Sequence, residues 1–183
     1  MTVSAHDIAA ELRDRLPGLP VKKLHKLLYY CQGHHLAAFD RPLFPERIDA
    51  WDMGPVVSAL WRDERRSQAA PPRRQLGEAE LNTIGYVISR YGNLTGTDLE
   101  HLTHSETPWQ LADSSRRPGE SVTIRQDWIK EFFRTTGAPR QQDDEAVLDT
   151  ADVRAWLAEA AVDERGTHED SVEALRARLV TGV

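Results

Sequence analysis

The sequence contains little cysteine and has no long apolar run. Cys31 is the one cysteine among 183 residues, so neither a disulfide within the chain nor a cysteine-rich zinc site can form. No stretch approaches the roughly 18 consecutive apolar residues that a membrane-spanning helix needs. The N-terminal residues lack the basic and apolar pattern of a signal peptide. These absences predict a cytoplasmic protein with no membrane partner.

Signatures of catalysis are also missing. His101 and His104 are three residues apart with Glu106 nearby, but the metal-binding patterns HExxH and HxE…PCxxC are absent. The segment 92–96 lacks the lysine and the length of a phosphate-binding loop. We therefore expect no catalytic residue, no metal site and no cofactor, which favours a binding protein over an enzyme.

Charge is distributed unevenly along the chain, whose net charge is −6. Residues 1–140 carry 19 Lys and Arg against 18 Asp and Glu, whereas residues 141–183 carry 4 against 11. The near-neutral body argues against general DNA affinity, which depends on neutralising phosphates. An acidic tail suits a basic partner, although a solvated helical face would have the same composition.

Apolar residues at three- and four-residue spacing predict a central core helix over residues 20–39. The predicted inward positions are Val21, Leu24, Leu27, Leu28, Cys31 and Leu36. Three lysines are predicted to face solvent on the opposite side: Lys22, Lys23 and Lys26. Tyr29, Tyr30 and His35 are expected on the flanks, with buried rings and polar tips in water.

The remaining pattern predicts a mainly α fold, a compact multi-helix domain with a small β element and a C-terminal helical extension. Residues 47–51 and 122–124 are the candidate strands, and Gly54-Pro55 is expected to turn the chain and begin a helix. We predict a body over residues 1–137 and an acidic helical extension over residues 138–183.

Three short motifs resemble those of a known family. They are KLHKLLYYCQGHHL at residues 23–36, AWDMGPVV at 50–57 and LTHSETPW at 102–109. They are similar to KLQKLLYYAQGWHL, AWKYGPVV and LTHSEPPW of the Panacea-domain antitoxins, the SocA-like, phage-associated family, and they follow in the same order. The positions at which the chain departs from these patterns include His25, His34, Asp52 and Met53.

The resemblance covers roughly residues 5–134 and implies an antitoxin that binds a cognate protein toxin encoded nearby. It also implies, for one branch of the family, a proteolytic adaptor that presents the toxin to an ATP-dependent protease. It establishes no catalytic residue. The alternative from a different class is a DNA-binding regulator of its own operon, for which the lysines at 22, 23 and 26 would supply a small basic patch.

The large rings of the motifs either fill the core or form a hot spot for a partner. The acidic extension adds a tryptophan beside an apolar stripe, which suits an anchor. The candidate partner-binding residues are Trp51, Asp52, Gly54, Pro55, His104, Glu106, Trp109 and Trp156.

Overall fold

Helix α2 (Val21–Phe39) lies at the centre of the fold in the computed structural model, which describes residues 3–69 and 71–137. Pro20 precedes it with φ −65°, the angle its ring favours, and the Pro20 carbonyl accepts the Leu24 N–H at 2.9 Å. The helix ends at Asp40, which adopts left-handed geometry with φ 58°. Its wholly buried apolar residues form the middle of the core: Leu24, Leu27, Leu28, Tyr29 and Cys31.

The other described elements surround this helix. They are α1 (Ala5–Arg15), β1 (Ile48–Trp51), β2 (Gly54–Val57), α3 (Ser58–Arg65), α4 (Glu78–Tyr91), α5 (Gly96–Ser105), α6 (Thr107–Ser114), β3 (Val122–Thr123) and α7 (Gln126–Gly137). The predicted mainly α fold with a small β element is confirmed.

The three strands form one antiparallel sheet in the order β2-β1-β3. Asp49 at its centre is buried, and its carboxylate accepts hydrogen bonds from Ser58 at 2.5 Å and from Thr123 at 2.8 Å. The prediction that Pro55 begins a helix is wrong, because residues 54–57 form β2 and the helix begins only at Ser58. Pairing with β1 selects the extended conformation, which the fixed φ of proline also allows.

Helix α7 packs very closely against α2. A Cβ atom at Gly33 would lie 2.3 Å from ring atoms of Phe133, so the absence of a side chain lets the ring rest on the helix backbone. Phe133 also makes edge contacts with the rings of Tyr29 at 5.6 Å and Tyr30 at 5.9 Å. On other sides α2 is covered by α1 and α4, whose buried apolar residues include Ile8, Leu12, Ile84 and Val87.

Because neighbours cover α2 on most sides, several of its polar residues are buried where the sequence predicts exposure. Lys26 is buried rather than solvated. The polar ends of three further side chains are also shielded from water: Tyr29, Tyr30 and His35. Val21, predicted to face inward, is 49% exposed. These predictions are wrong because periodicity identifies one apolar face, whereas this helix is packed on several.

A buried glutamine fixes the chain that follows α2. The Gln32 side-chain oxygen accepts the backbone N–H groups of Leu43 at 2.9 Å and Phe44 at 3.2 Å, and its amide donates to the Phe44 carbonyl at 3.1 Å. The polar groups of this side chain are therefore matched by the loop that covers them.

The predicted extension over residues 138–183, including Trp156, lies outside the described residues. The division of the chain at residue 137 therefore stays a prediction. Among the described helices, none combines the length and apolar character needed to cross a membrane.

Candidate binding site

The first two motifs meet where α2 passes beneath the β1–β2 hairpin. The Lys26 ammonium donates a hydrogen bond to the Pro55 carbonyl at 3.3 Å. Gly54 has φ +96°, and a Cβ there would lie 2.7 Å from Lys26 Cε and 3.0 Å from Thr103 Oγ1. The backbone angle therefore favours glycine at this position, and an added side chain would have to displace the end of Lys26.

The third motif joins the hairpin at the start of α6. The Trp109 indole N–H donates to the Trp51 carbonyl at 3.3 Å, and the Trp109 ring stacks on His104 with centroids 4.0 Å apart. Trp109 is itself buried. The tryptophan of the third motif thus supports the strand that carries the tryptophan of the second.

Glu106 links the third motif to α2. It accepts the Tyr30 hydroxyl at 2.8 Å, and Tyr30 stacks on Tyr91 with centroids 4.0 Å apart. Burial raises the pKa of Glu106 to about 7, and the hydrogen bond from Tyr30 opposes that rise. The second oxygen of this carboxyl group is buried without a hydrogen-bond partner in the described part of the chain.

A groove of about 470 Å³ opens beside this junction, and we call it the tryptophan groove. One wall holds the rings of Trp51 and Trp61, whose centroids are 4.8 Å apart at an interplanar angle of 75°. The Trp51 indole donates to Ser121 at 3.0 Å, which brings the loop before β3 to the same groove. Met53, which also lines it, is 54% exposed.

The inner lining of the tryptophan groove includes two buried basic residues, His25 and Lys26, which are 2% and 1% exposed. His25 Nδ1 accepts the Val57 N–H at 3.3 Å, so the proton of the neutral ring is on Nε2. Burial, followed by the charges of Lys26 and Arg13, lowers the pKa of His25 to about 4. The ring is therefore neutral at pH 7, and its Nε2–H has no hydrogen-bond partner among the described residues.

Lys26 remains charged in this setting. Burial lowers its pKa to about 8, and the more distant charge of Glu100 opposes that shift while that of Lys22 adds to it. No carboxylate of the described residues lies within 4.0 Å of its ammonium group, because Glu100 is paired with Lys22 instead. A buried cation with one carbonyl acceptor is an energetically costly arrangement.

The predicted partner-binding residues fall into three groups. Trp51 and Asp52 line the groove, and Asp52 is exposed and paired with Arg116 at 2.6 Å. Gly54 and Pro55 are buried in the hairpin, where they contact α2. Three residues of the third motif pack at the junction and do not line the groove: His104, Glu106 and Trp109.

Sequence reasoning missed His25 and Lys26 as groove residues. One signal in the sequence could have indicated them. Histidine, lysine and tyrosine are interspersed around the whole of α2, which is typical of a helix that contacts neighbours on several sides.

The histidines do not assemble a metal centre in this part of the chain. Within residues 3–69 and 71–137, no group of three or more histidine, cysteine, aspartate or glutamate side chains is arranged to hold an ion. The burial of Cys31 raises the pKa of its thiol, which keeps that group protonated.

Comparison with protein families places the three motifs in one domain. Residues 24–110 match the family described as "Antitoxin SocA-like, Panacea domain". The match is shorter than the resemblance predicted, since it leaves out α1 and α7. Comparisons with curated proteins and with solved structures gave no match. Residues 24–110 of this chain are therefore similar to the SocA-like Panacea domain of antitoxins.

Proposed function

We propose that the protein is an antitoxin that neutralises a cognate protein toxin by binding it directly, and that it is not an enzyme. The observation that carries this proposal is the match of residues 24–110 to an antitoxin-like domain. The toxin is expected to be the product of a neighbouring gene. We propose phage defence as the biological setting of this chain.

The contacts of the motifs support binding rather than catalysis. Gly54 allows α2 and the hairpin to approach closely, and Trp109 joins the hairpin to α6. The junction leaves an open groove with aromatic walls, and such surfaces supply the anchoring contacts of protein interfaces. We therefore propose that the motifs build a scaffold and that the surface around the tryptophan groove contacts the toxin.

The alternative of operon DNA receives less support. Of the three lysines that would have formed a basic patch, Lys22 pairs with Glu100 and Lys23 donates to the Gly92 carbonyl at 2.6 Å. Lys26 is buried. A surface that attracts phosphates needs exposed cations, so this patch is a poor candidate for DNA.

The test is to co-express the full chain with the neighbouring gene product, measure growth, and measure binding of the purified proteins. We expect rescue of growth and a stable complex while the cellular amount of toxin stays unchanged. Rescue accompanied by loss of the toxin would support an adaptor for an ATP-dependent protease instead. Absence of both rescue and binding would contradict the proposal, and operator DNA would then be the ligand to test.

We further propose that the acidic segment strengthens the complex. Residues 141–183 carry 4 basic against 11 acidic residues, and Trp156 lies in the same segment. Charge should act mainly on the association rate and on salt sensitivity, and an aromatic anchor mainly on dissociation. Removal of residues 141–183 should therefore slow association at low salt, whereas Trp156→Ala should speed dissociation. Equal binding and rescue by the truncated and full chains would contradict this role.

A further inference from the structure

The groups that line the tryptophan groove indicate what it binds. Lys26 has three protons to donate, and the described residues offer it one acceptor, the Pro55 carbonyl at 3.3 Å. The Nε2–H of His25 is buried and has no hydrogen-bond partner among the described residues. These inner groups are therefore hydrogen-bond donors, and one of them is positively charged. Their chemical complement is an acceptor with negative charge.

The acidic residues near the groove do not fill that role. Asp52 is paired with Arg116 at 2.6 Å, and Glu100 is paired with Lys22. Glu120, which also lines the groove, is exposed and lies more than 4.0 Å from any ammonium of the described residues. Lys26 therefore lacks a counter-ion from the described chain, which is unusual for a buried charge.

The walls of the groove are apolar, whereas its interior is basic. Trp51 and Trp61 form an aromatic corner, and the partly exposed side chains of Val21 and Met53 lie on the lining as well. Apolar walls around hydrogen-bond donors suit a peptide segment in which an acidic residue stands next to an apolar one. The groove opens to the surface of the described domain, so a segment of a protein can enter it.

We propose that the tryptophan groove binds an acidic residue of the protein partner, with its carboxylate at Lys26 and His25 and an adjacent apolar side chain against Trp51 and Trp61. This inference rests on the proposed function and names the chemistry of the toxin segment. A bound carboxylate would supply the counter-ion that Lys26 lacks. Charge-assisted hydrogen bonds of this kind are stronger than neutral ones.

A first experiment tests the groove without the toxin. The full ¹⁵N-labelled chain is titrated with the capped dipeptide acetyl-Leu-Glu-amide at millimolar concentrations, and with acetyl-Leu-Gln-amide as a neutral match. We expect the acidic peptide to shift the indole N–H signals of Trp51 and Trp61 more than the neutral one. Trp128, which does not line the groove, is the internal control.

Lys26→Met should abolish the difference between the two peptides, whereas Lys23→Met should keep it. The second variant removes the same charge from the same helix, at a side chain bonded to the Gly92 carbonyl and away from the groove. Equal shifts by both peptides in the unaltered protein, or no shifts at all, would overturn the proposed site.

A second experiment connects the site to the toxin. We expect Lys26→Met to weaken binding of the neighbouring gene product about tenfold or more, and Lys23→Met to leave it unchanged. A normal peptide response together with undiminished toxin binding by Lys26→Met would overturn the assignment of the groove to the toxin. A normal peptide response in a protein that binds no toxin at all would contradict the proposed function and leave the carboxylate site standing. The melting temperature of each variant identifies any loss caused by unfolding.

Discussion

The two halves of α2 differ in how completely their buried polar side chains are hydrogen-bonded. In the C-terminal half, Gln32 makes three hydrogen bonds with the loop that covers it, and His35 contacts the Thr83 hydroxyl at 2.9 Å. In the N-terminal half, His25 leaves one donor without a partner, and Lys26 has no carboxylate within 4.0 Å in the described structure. The first arrangement fixes the fold, and the second leaves binding capacity for another molecule.

The largest expected effect comes from placing an unpaired charge where no groove exists. Leu28 is buried near the middle of α2, so Leu28→Asp should destabilise the protein by several kcal/mol and unfold the domain. Circular dichroism and thermal melting of the purified chain measure this. Leu102→Asp, at an exposed leucine, is the matched control and should melt nearly as the unaltered protein does. A stable Leu28→Asp protein would show that α2 tolerates buried charge generally.

A second pair of variants compares the two halves directly. Gln32→Leu leaves two backbone N–H groups buried without acceptors and should cost about 2–4 kcal/mol. Lys26→Met removes an unpaired buried charge and should leave stability unchanged or increase it. Denaturant unfolding measures both. If Lys26→Met is as destabilising as Gln32→Leu, the two halves do not differ and Lys26 is a structural residue.

The hairpin above Lys26 offers a third test. Gly54→Ala should cost about 2–3 kcal/mol, because it combines a left-handed backbone angle with a collision against the lysine. Gly18→Ala is the control, since Gly18 has φ +75° and nothing within 4 Å of the added carbon, so that it carries the backbone cost alone. Denaturant unfolding measures both variants. Equal losses of unfolding free energy would mean that the hairpin shifts to make room for the added carbon, so that the contact with Lys26 adds no steric cost.

The smallest effect concerns Glu106, whose pKa is raised from 4.5 to about 7 by burial. The folded protein keeps a proton that the unfolded chain releases above pH 4.5, so this contribution to stability is lost as pH rises through about 7. Glu106→Gln retains an acceptor for Tyr30 and should remove that loss.

The measurement is the unfolding free energy of both proteins from about pH 5 to about pH 8, where the variant should gain about 1–2 kcal/mol on the unaltered protein. His25 and His34, whose pKa values are lowered to about 4, titrate with the opposite sign and are common to both proteins. A constant difference across this range would show that Glu106 titrates near its ordinary pKa.

Much of the fold follows from local pattern. The apolar spacing predicts α2, and the alternation around residue 49 predicts a strand that the structure confirms as β1. The groove could not be predicted in this way, because it joins residues far apart in sequence. The Lys26 ammonium donates to a carbonyl 29 positions away in the sequence. The Trp51 indole donates to the Ser121 hydroxyl, 70 positions away. Helical periodicity describes one element at a time and cannot report what covers it.

The close contact between Gly33 and Phe133 has a consequence for using this domain in other proteins. The segment that identifies the family ends at residue 110, but the ring that covers the glycine belongs to α7. A transplant restricted to residues 24–110 would carry all but the first residue of the three motifs and leave a face of its central helix without a cover. The segment that can be transplanted is therefore longer than the segment that matches the family. Fusion proteins that contain this domain need to extend through Gly137.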